Sequence, residues 1–106
     1  SNLHDLDINK EFIAFSGIGN NENFLNILNK NKFKIIDHYF FPDHYSFNKR
    51  DLEKIINNAK NNNAEIITTE KDFLRIDEFF QKKIKFLKID LKLVDEIMFD
   101  NYLKSV

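Results

Sequence analysis

Apolar and polar positions fall in blocks along the chain, and the blocks differ in period. Residues 12–16 (FIAFS) form an unbroken apolar run that stops at Gly17, the pattern of a buried strand entering a tight turn. Phe24, Leu25, Ile27 and Leu28 then recur at helical spacing to about Asn31, with Asn20 or Asn21 placed to cap the helix. Residues 33–41 (FKIIDHYFF) are β-branched and aromatic and predict a second strand. Pro42 ends it, because proline has no N–H to give a ladder. Asn48, with Asp51 three residues on, predicts a capped helix whose buried stripe is Leu52, Ile55, Ile56 and Ala59. The run Asn61-Asn62-Asn63 closes that helix.

Residues 65–68 (EIIT) predict a third strand, and Glu70 and Asp72 open a short helix running to about Phe79. Acidic groups suit the positive end of a helix. Residues 83–89 (KIKFLKI) predict a fourth strand, and Val94, Ile97, Met98 and Tyr102 a closing helix. Strands alternating with helices imply a mostly parallel sheet with right-handed crossovers. The expected fold is α/β, a three-layer Rossmann-like sandwich of about four strands with helices on both faces. Residues 1–11 read as a polar lead-in, linker or tag remnant, and residues 12–106 as one domain.

Length and composition narrow the function classes. At 106 residues the chain has room for one modest core. The formal net charge is −1, and neither half carries the basic excess of a nucleic-acid binder: residues 1–53 have 6 basic and 8 acidic groups, and residues 54–106 have 10 and 9. Without cysteine there is no disulfide, thiolate metal site or cysteine nucleophile. No apolar run approaches a membrane span. The 15 Asn and 14 Lys stand against 2 Gly, 2 Arg and 1 Pro, the mark of AT-rich coding. Many Asn and Lys positions are therefore solvent-facing filler, and the rare glycines and proline carry more weight.

In this fold class, sites gather at the C-terminal ends of the parallel strands. Three segments fall there: Gly17-Ile18-Gly19-Asn20, residues 41–47 (FPDHYSF), and Thr68-Thr69-Glu70-Lys71-Asp72. The Gly17–Gly19 turn resembles an anion-binding turn, but Glu22 stands where G-x-G-x-x-G needs its third glycine, and no G-K-[ST] loop occurs. A plain βα turn outweighs a cofactor cradle. Asp43-His44 is the most suggestive pair, since a histidine acts as base, ligand or orienting group near neutral pH. Read locally, a loop histidine that merely bonds Asp43 or a backbone carbonyl is the stronger reading. His38, inside the second strand, reads as a packing residue. Glu70, Lys71 and Asp72 read as ordinary helix-start charges, with Lys71 able to reach a carboxylate or a phosphate. No metal-ligand spacing and no G-x-S-x-G elbow is present.

Taken in order, Ala14-Phe15-Ser16-Gly17-Ile18-Gly19-Asn20, Phe24, Phe41-Pro42-Asp43-His44 with Phe47, and Thr68-Thr69-Glu70-Lys71-Asp72 resemble the C-terminal domain of the tetraacyldisaccharide 4'-kinases, the lipid A 4'-kinases of Gram-negative bacteria. The resemblance runs from about Phe12 to Phe86. It implies a kinase that transfers the γ-phosphate of ATP, with Mg²⁺, to the 4'-hydroxyl of a lipid A disaccharide precursor at the cytoplasmic face of the inner membrane. It also implies that ATP and Mg²⁺ are held by an N-terminal P-loop domain and that this domain alone binds no cofactor or metal and is inactive. His44 is then the assisting histidine, oriented by Asp43, while Gly17, Gly19, Asn20, Thr69, Glu70, Lys71 and Asp72 line the cleft. The competing expectations are a free-standing, non-catalytic α/β module that binds a ligand or partner, and a small independent enzyme built on Asp43-His44.

Overall fold

The computed structural model describes residues 6–88. Its centre is β1 (Glu11–Ser16), buried at every position after Glu11. A strand covered on both faces needs no polar alternation, which is why this segment reads as a continuous apolar run. Around it stand α1 (Asn21–Lys30), β2 (Lys34–Phe40), α2 (Lys49–Asn61), β3 (Glu65–Thr69), two short helices α3 (Glu70–Phe73) and α4 (Glu78–Gln81), and β4 (Lys85–Leu87). All strand pairs are parallel and the order is β2-β1-β3-β4. The result is the expected α/β, Rossmann-like sandwich.

The two faces of β1 carry separate cores. Phe12 and Ala14 pack with Phe24 and Leu28 of α1, and with Ile67 and Leu87. Ile13 and Phe15 pack with Leu52, Ile55 and Ala59 of α2, and with Ile66, Ile76, Phe80 and Ile84. Helix α2 starts on a capping box, with Asn48 accepting from the Asp51 N–H and Asp51 accepting from the Asn48 N–H. Such a cap contributes on the order of 1 kcal/mol.

Both long helices end alike. The Phe33 N–H donates to the Leu28 carbonyl (3.0 Å) and the Lys32 N–H to the Asn29 carbonyl (3.1 Å); Ala64 and Asn63 repeat the pattern with Ala59 (2.8 Å) and Lys60 (3.3 Å). These are Schellman caps, which require a left-handed residue after the helix. In a glycine-poor chain, Lys32 (φ 67°) and Asn63 (φ 50°) take that place.

Three sequence expectations change. The helix predicted from Glu70 to about Phe79 is two short helices. Asp77 interrupts it by turning its carboxylate onto the Phe79 N–H (2.9 Å) and capping a new start, so that Ile76 and Phe80 both reach the core. His38 is exposed rather than packed, because β2 is an edge strand, and its ring lies against Phe40. β4 is shorter than predicted; its expected end at Ile89 and the closing helix around residues 94–102 lie outside the described residues. At the far end of the sheet, Glu65 meets Lys10 (3.1 Å) and Lys85 (3.0 Å). Partial burial opposes its ionisation, but hydrogen bonds from Lys85 and Lys10 outweigh that and hold its pKa below the usual glutamate value.

Candidate functional site

The chain leaves β1 toward β2 on one side and then returns past β1 to β3 on the other. The β1/β3 boundary is thus the point where connections diverge, and ligands in open α/β sheets bind outside the strand ends there. The three segments singled out in the sequence meet at this rim. The Phe41 N–H donates to the Ser16 carbonyl (2.8 Å), joining the first to the second. The Gly17 N–H donates to Asp72 Oδ2 (3.0 Å), joining the first to the third.

The first half of the turn after β1 spends its polar groups within the fold. Asp72, fully buried, also accepts from Thr69 Oγ1 (2.8 Å), while Thr69 caps α3 by accepting from the Asp72 N–H (3.1 Å). Asn21 Oδ1 accepts from Ser16 Oγ (2.7 Å) and the Ile18 N–H (3.2 Å), and Asn21 Nδ2 donates to the Phe41 carbonyl (2.9 Å). Asn20 is used as the α1 cap, accepting from the Asn23 N–H (3.2 Å). A phosphate-binding turn offers free backbone N–H groups to its anion. Here those of Gly17 and Ile18 are already taken, one by a carboxylate whose charge repels phosphate.

Neither glycine has a positive φ. Gly17 is favoured by close approach: a Cβ there would lie 3.2 Å from the Phe47 ring, which would have to give way, and 3.4 Å from the Pro42 carbonyl. At Gly19 a Cβ would meet nothing nearer than Asp43 Oδ2 at 3.6 Å, an ordinary contact.

The loop after β2 is built differently. Pro42 to Tyr45 form a turn closed by the Tyr45 N–H donating to the Pro42 carbonyl (3.1 Å), with His44 third at φ 62°. Glycine or asparagine normally fills such a position, and another residue costs about 1 kcal/mol there. Lys32 and Asn63 answer to helix caps, whereas His44 has no helix to end. Asp43 Oδ1 accepts from the His44 N–H (3.1 Å), and Asp43 Oδ2 stands 3.5 Å from His44 Nε2. The imidazole is 82% exposed. Behind it Phe41, Tyr45 and Phe47 form an aromatic wedge, with Phe47 edge-on to the buried Phe15. Tyr45 Oη donates to Asp51 Oδ2 (2.8 Å); this bond, then burial and the Asp51 charge, raises the phenol pKa.

The rim residues thus divide. Asp43, His44, Gly19, Asn20 and Lys71 are exposed, Glu70 is half-buried, and Gly17, Thr69 and Asp72 lie beneath the surface. Among the described residues no three His, Asp or Glu side chains gather as a metal site requires. Two residues escaped the sequence reading. Asn21 was weighed only as a helix cap. Arg75 went unnoticed, although its guanidinium donates from Nη2 to the Tyr45 carbonyl, stands with Nη1 3.5 Å from Asp72 Oδ1, and lies over the Phe47 ring (5.7 Å). A signal existed: Arg75 is one of two arginines in a chain of 14 lysines.

Comparison with known proteins agrees with the rim motifs. The family model for tetraacyldisaccharide-1-P 4'-kinase matches residues 2–106. The chain belongs to this family. A tetraacyldisaccharide 4'-kinase from Pelagibacter ubique is 43% identical over 95 residues, which is 90% of this chain and 30% of that protein. One from Rickettsia bellii is 46% identical over 74 residues, 70% of this chain and 23% of the relative. A third, from Bartonella henselae, is 42% identical over 67 residues, or 63% and 20%. The chain therefore spans under a third of the length of these family members, in their C-terminal portion. No solved structure matches it.

Proposed function

We propose that this chain is the C-terminal domain of a kinase that phosphorylates the 4'-hydroxyl of the tetraacyldisaccharide 1-phosphate precursor of lipid A. In that reading it forms one wall of the active-site cleft and presents His44 to the reacting groups. The carrying observation is His44 itself: an exposed histidine held in a left-handed turn that ends no helix. Such a conformation persists only where its surroundings impose it, and it clusters at functional positions. Membership of the kinase family and the position of the match in its relatives support the same assignment.

The nucleotide belongs to a separate N-terminal P-loop domain: residues 1–106 contain no Walker loop, and the Gly17 and Ile18 N–H groups of the glycine turn are already bound within the fold. When bound there, Mg²⁺-ATP supplies the phosphoryl group. Phosphoryl transfer depends on positioning and charge placement more than on covalent chemistry from the protein. Asp43 accepts from the His44 backbone N–H and lies 3.5 Å from Nε2, so it orients the ring, which presents an N–H across the cleft. Directed across the cleft, the imidazole orients an aspartate of the P-loop domain that takes the hydroxyl proton. The work takes place at the cytoplasmic face of the inner membrane. Among the described residues no helix is long and apolar enough to cross a membrane.

The test is steady-state kinetics on the full-length kinase. His44→Ala lowers kcat by about 10²-fold, the lower end for a positioned acid–base group, with a smaller change in KM for ATP. A kcat equal to that of the unaltered enzyme refutes the assignment.

A further inference from the structure

We infer that Arg75 is a positioning residue for His44, acting through the Tyr45 carbonyl; the inference rests on the functional reading of His44 above. The turn that carries His44 is anchored at Tyr45 by its ring contacts with Phe41 and Phe47 and its hydroxyl bond to Asp51, but residues 42–44 have little to hold them. One backbone bond closes the turn, Asp43 adds one contact to the His44 N–H, and residues 42–44 are exposed. A left-handed histidine relaxes unless something outside the turn fixes it.

Arg75 adds outside support on the backbone itself. Nη2 donates to the Tyr45 carbonyl, one residue past His44, in a charge-assisted bond stronger than a neutral one. Nη1 faces Asp72 Oδ1, and the guanidinium lies over Phe47, whose ring abuts Gly17 and Phe15. The other Asp72 oxygen holds the Gly17 N–H and the Thr69 hydroxyl. One buried carboxylate and one guanidinium therefore tie the ends of β1, β2 and β3 together and end on the residue beside His44. The arrangement needs a planar fork: two donors aimed at two acceptors, with a flat face left for the ring. A lysine ammonium is a point donor and cannot meet all three. That suits an arginine at this position in a chain with 14 lysines and two arginines.

The experiment is a double-mutant cycle in the full-length kinase with Arg75→Met, Arg75→Lys, His44→Ala and the Arg75→Met/His44→Ala pair. Arg75→Met is expected to lower kcat about tenfold through misplacement of the imidazole, with KM for ATP within about twofold. Arg75→Lys recovers little of the loss. In the His44→Ala background Arg75→Met has no further effect, because its target is gone. An equal fall in both backgrounds, or no fall from Arg75→Met, overturns the inference while leaving His44 in place. Normal kcat in His44→Ala instead overturns the functional reading beneath it. Should Arg75→Met fail to fold, amide exchange in Arg75→Lys decides the matter. Faster exchange confined to residues 43–46 supports the tether, and unchanged exchange there rejects it.

Discussion

The turn after β1 and the loop after β2 leave the same edge of the sheet and touch one another, yet they use their polar groups in opposite ways. In the first, the N–H groups of Gly17 and Ile18 and the hydroxyl of Ser16 all end on the side chains of Asp72 and Asn21. In the second, the imidazole of His44 points to solvent with only Asp43 beside it. The glycine turn has the strand-to-helix placement of an anion site, yet the N–H groups of Gly17 and Ile18 are bound within the fold. The histidine loop, which holds the most suggestive pair in the sequence, carries the conformational cost. What a motif can bind depends on which of its donors the fold has already consumed.

That contrast can be broken experimentally, beginning with the buried carboxylate. Asp72→Ala strands the Gly17 N–H, the Thr69 hydroxyl and the Arg75 guanidinium at once. Removing one partner of a buried, hydrogen-bonded pair costs about 3–5 kcal/mol. Urea unfolding should show a loss of that size, and a loss below about 1 kcal/mol means Asp72 is not the anchor of the turn. The two glycines give the next effect. Gly17→Ala drives a methyl into Phe47 and the Pro42 carbonyl and destabilises by about 1–3 kcal/mol. Gly19→Ala meets only an ordinary contact and stays within about 0.5 kcal/mol. Equal costs at the two positions contradict the distinction drawn between close approach and open space.

Much of this was legible in the chain. The run at residues 12–16 announced a strand covered on both faces, and Asn48 with Asp51 announced the cap of α2; each is a local signal with a single physical cause. The three rim segments could be placed together because parallel topology brings strand ends to one edge. The unread features were nonlocal. Asp72 looked like a helix-start charge, and only the fold shows it buried 55 residues away from the Gly17 N–H it accepts from. Arg75 reaches back 30 residues to Tyr45. The edge position of β2, which exposes His38, Ile36 and Phe40, follows from strand order, and an apolar pattern does not specify that order. The left-handed backbone of His44 had no sequence mark, since a histidine does not announce a positive φ as a glycine does.

If His44 occupies its turn for chemistry rather than for structure, stability and activity must move in opposite directions when glycine replaces it. His44→Gly relieves the left-handed backbone and should raise unfolding free energy, offset in part by the greater freedom of the unfolded chain, for a net gain of several tenths of a kcal/mol, roughly. In the same full-length protein kcat should fall by about 10²-fold. A variant that is more stable and slow is the predicted result. A variant that keeps its kcat, whatever its stability, contradicts the account.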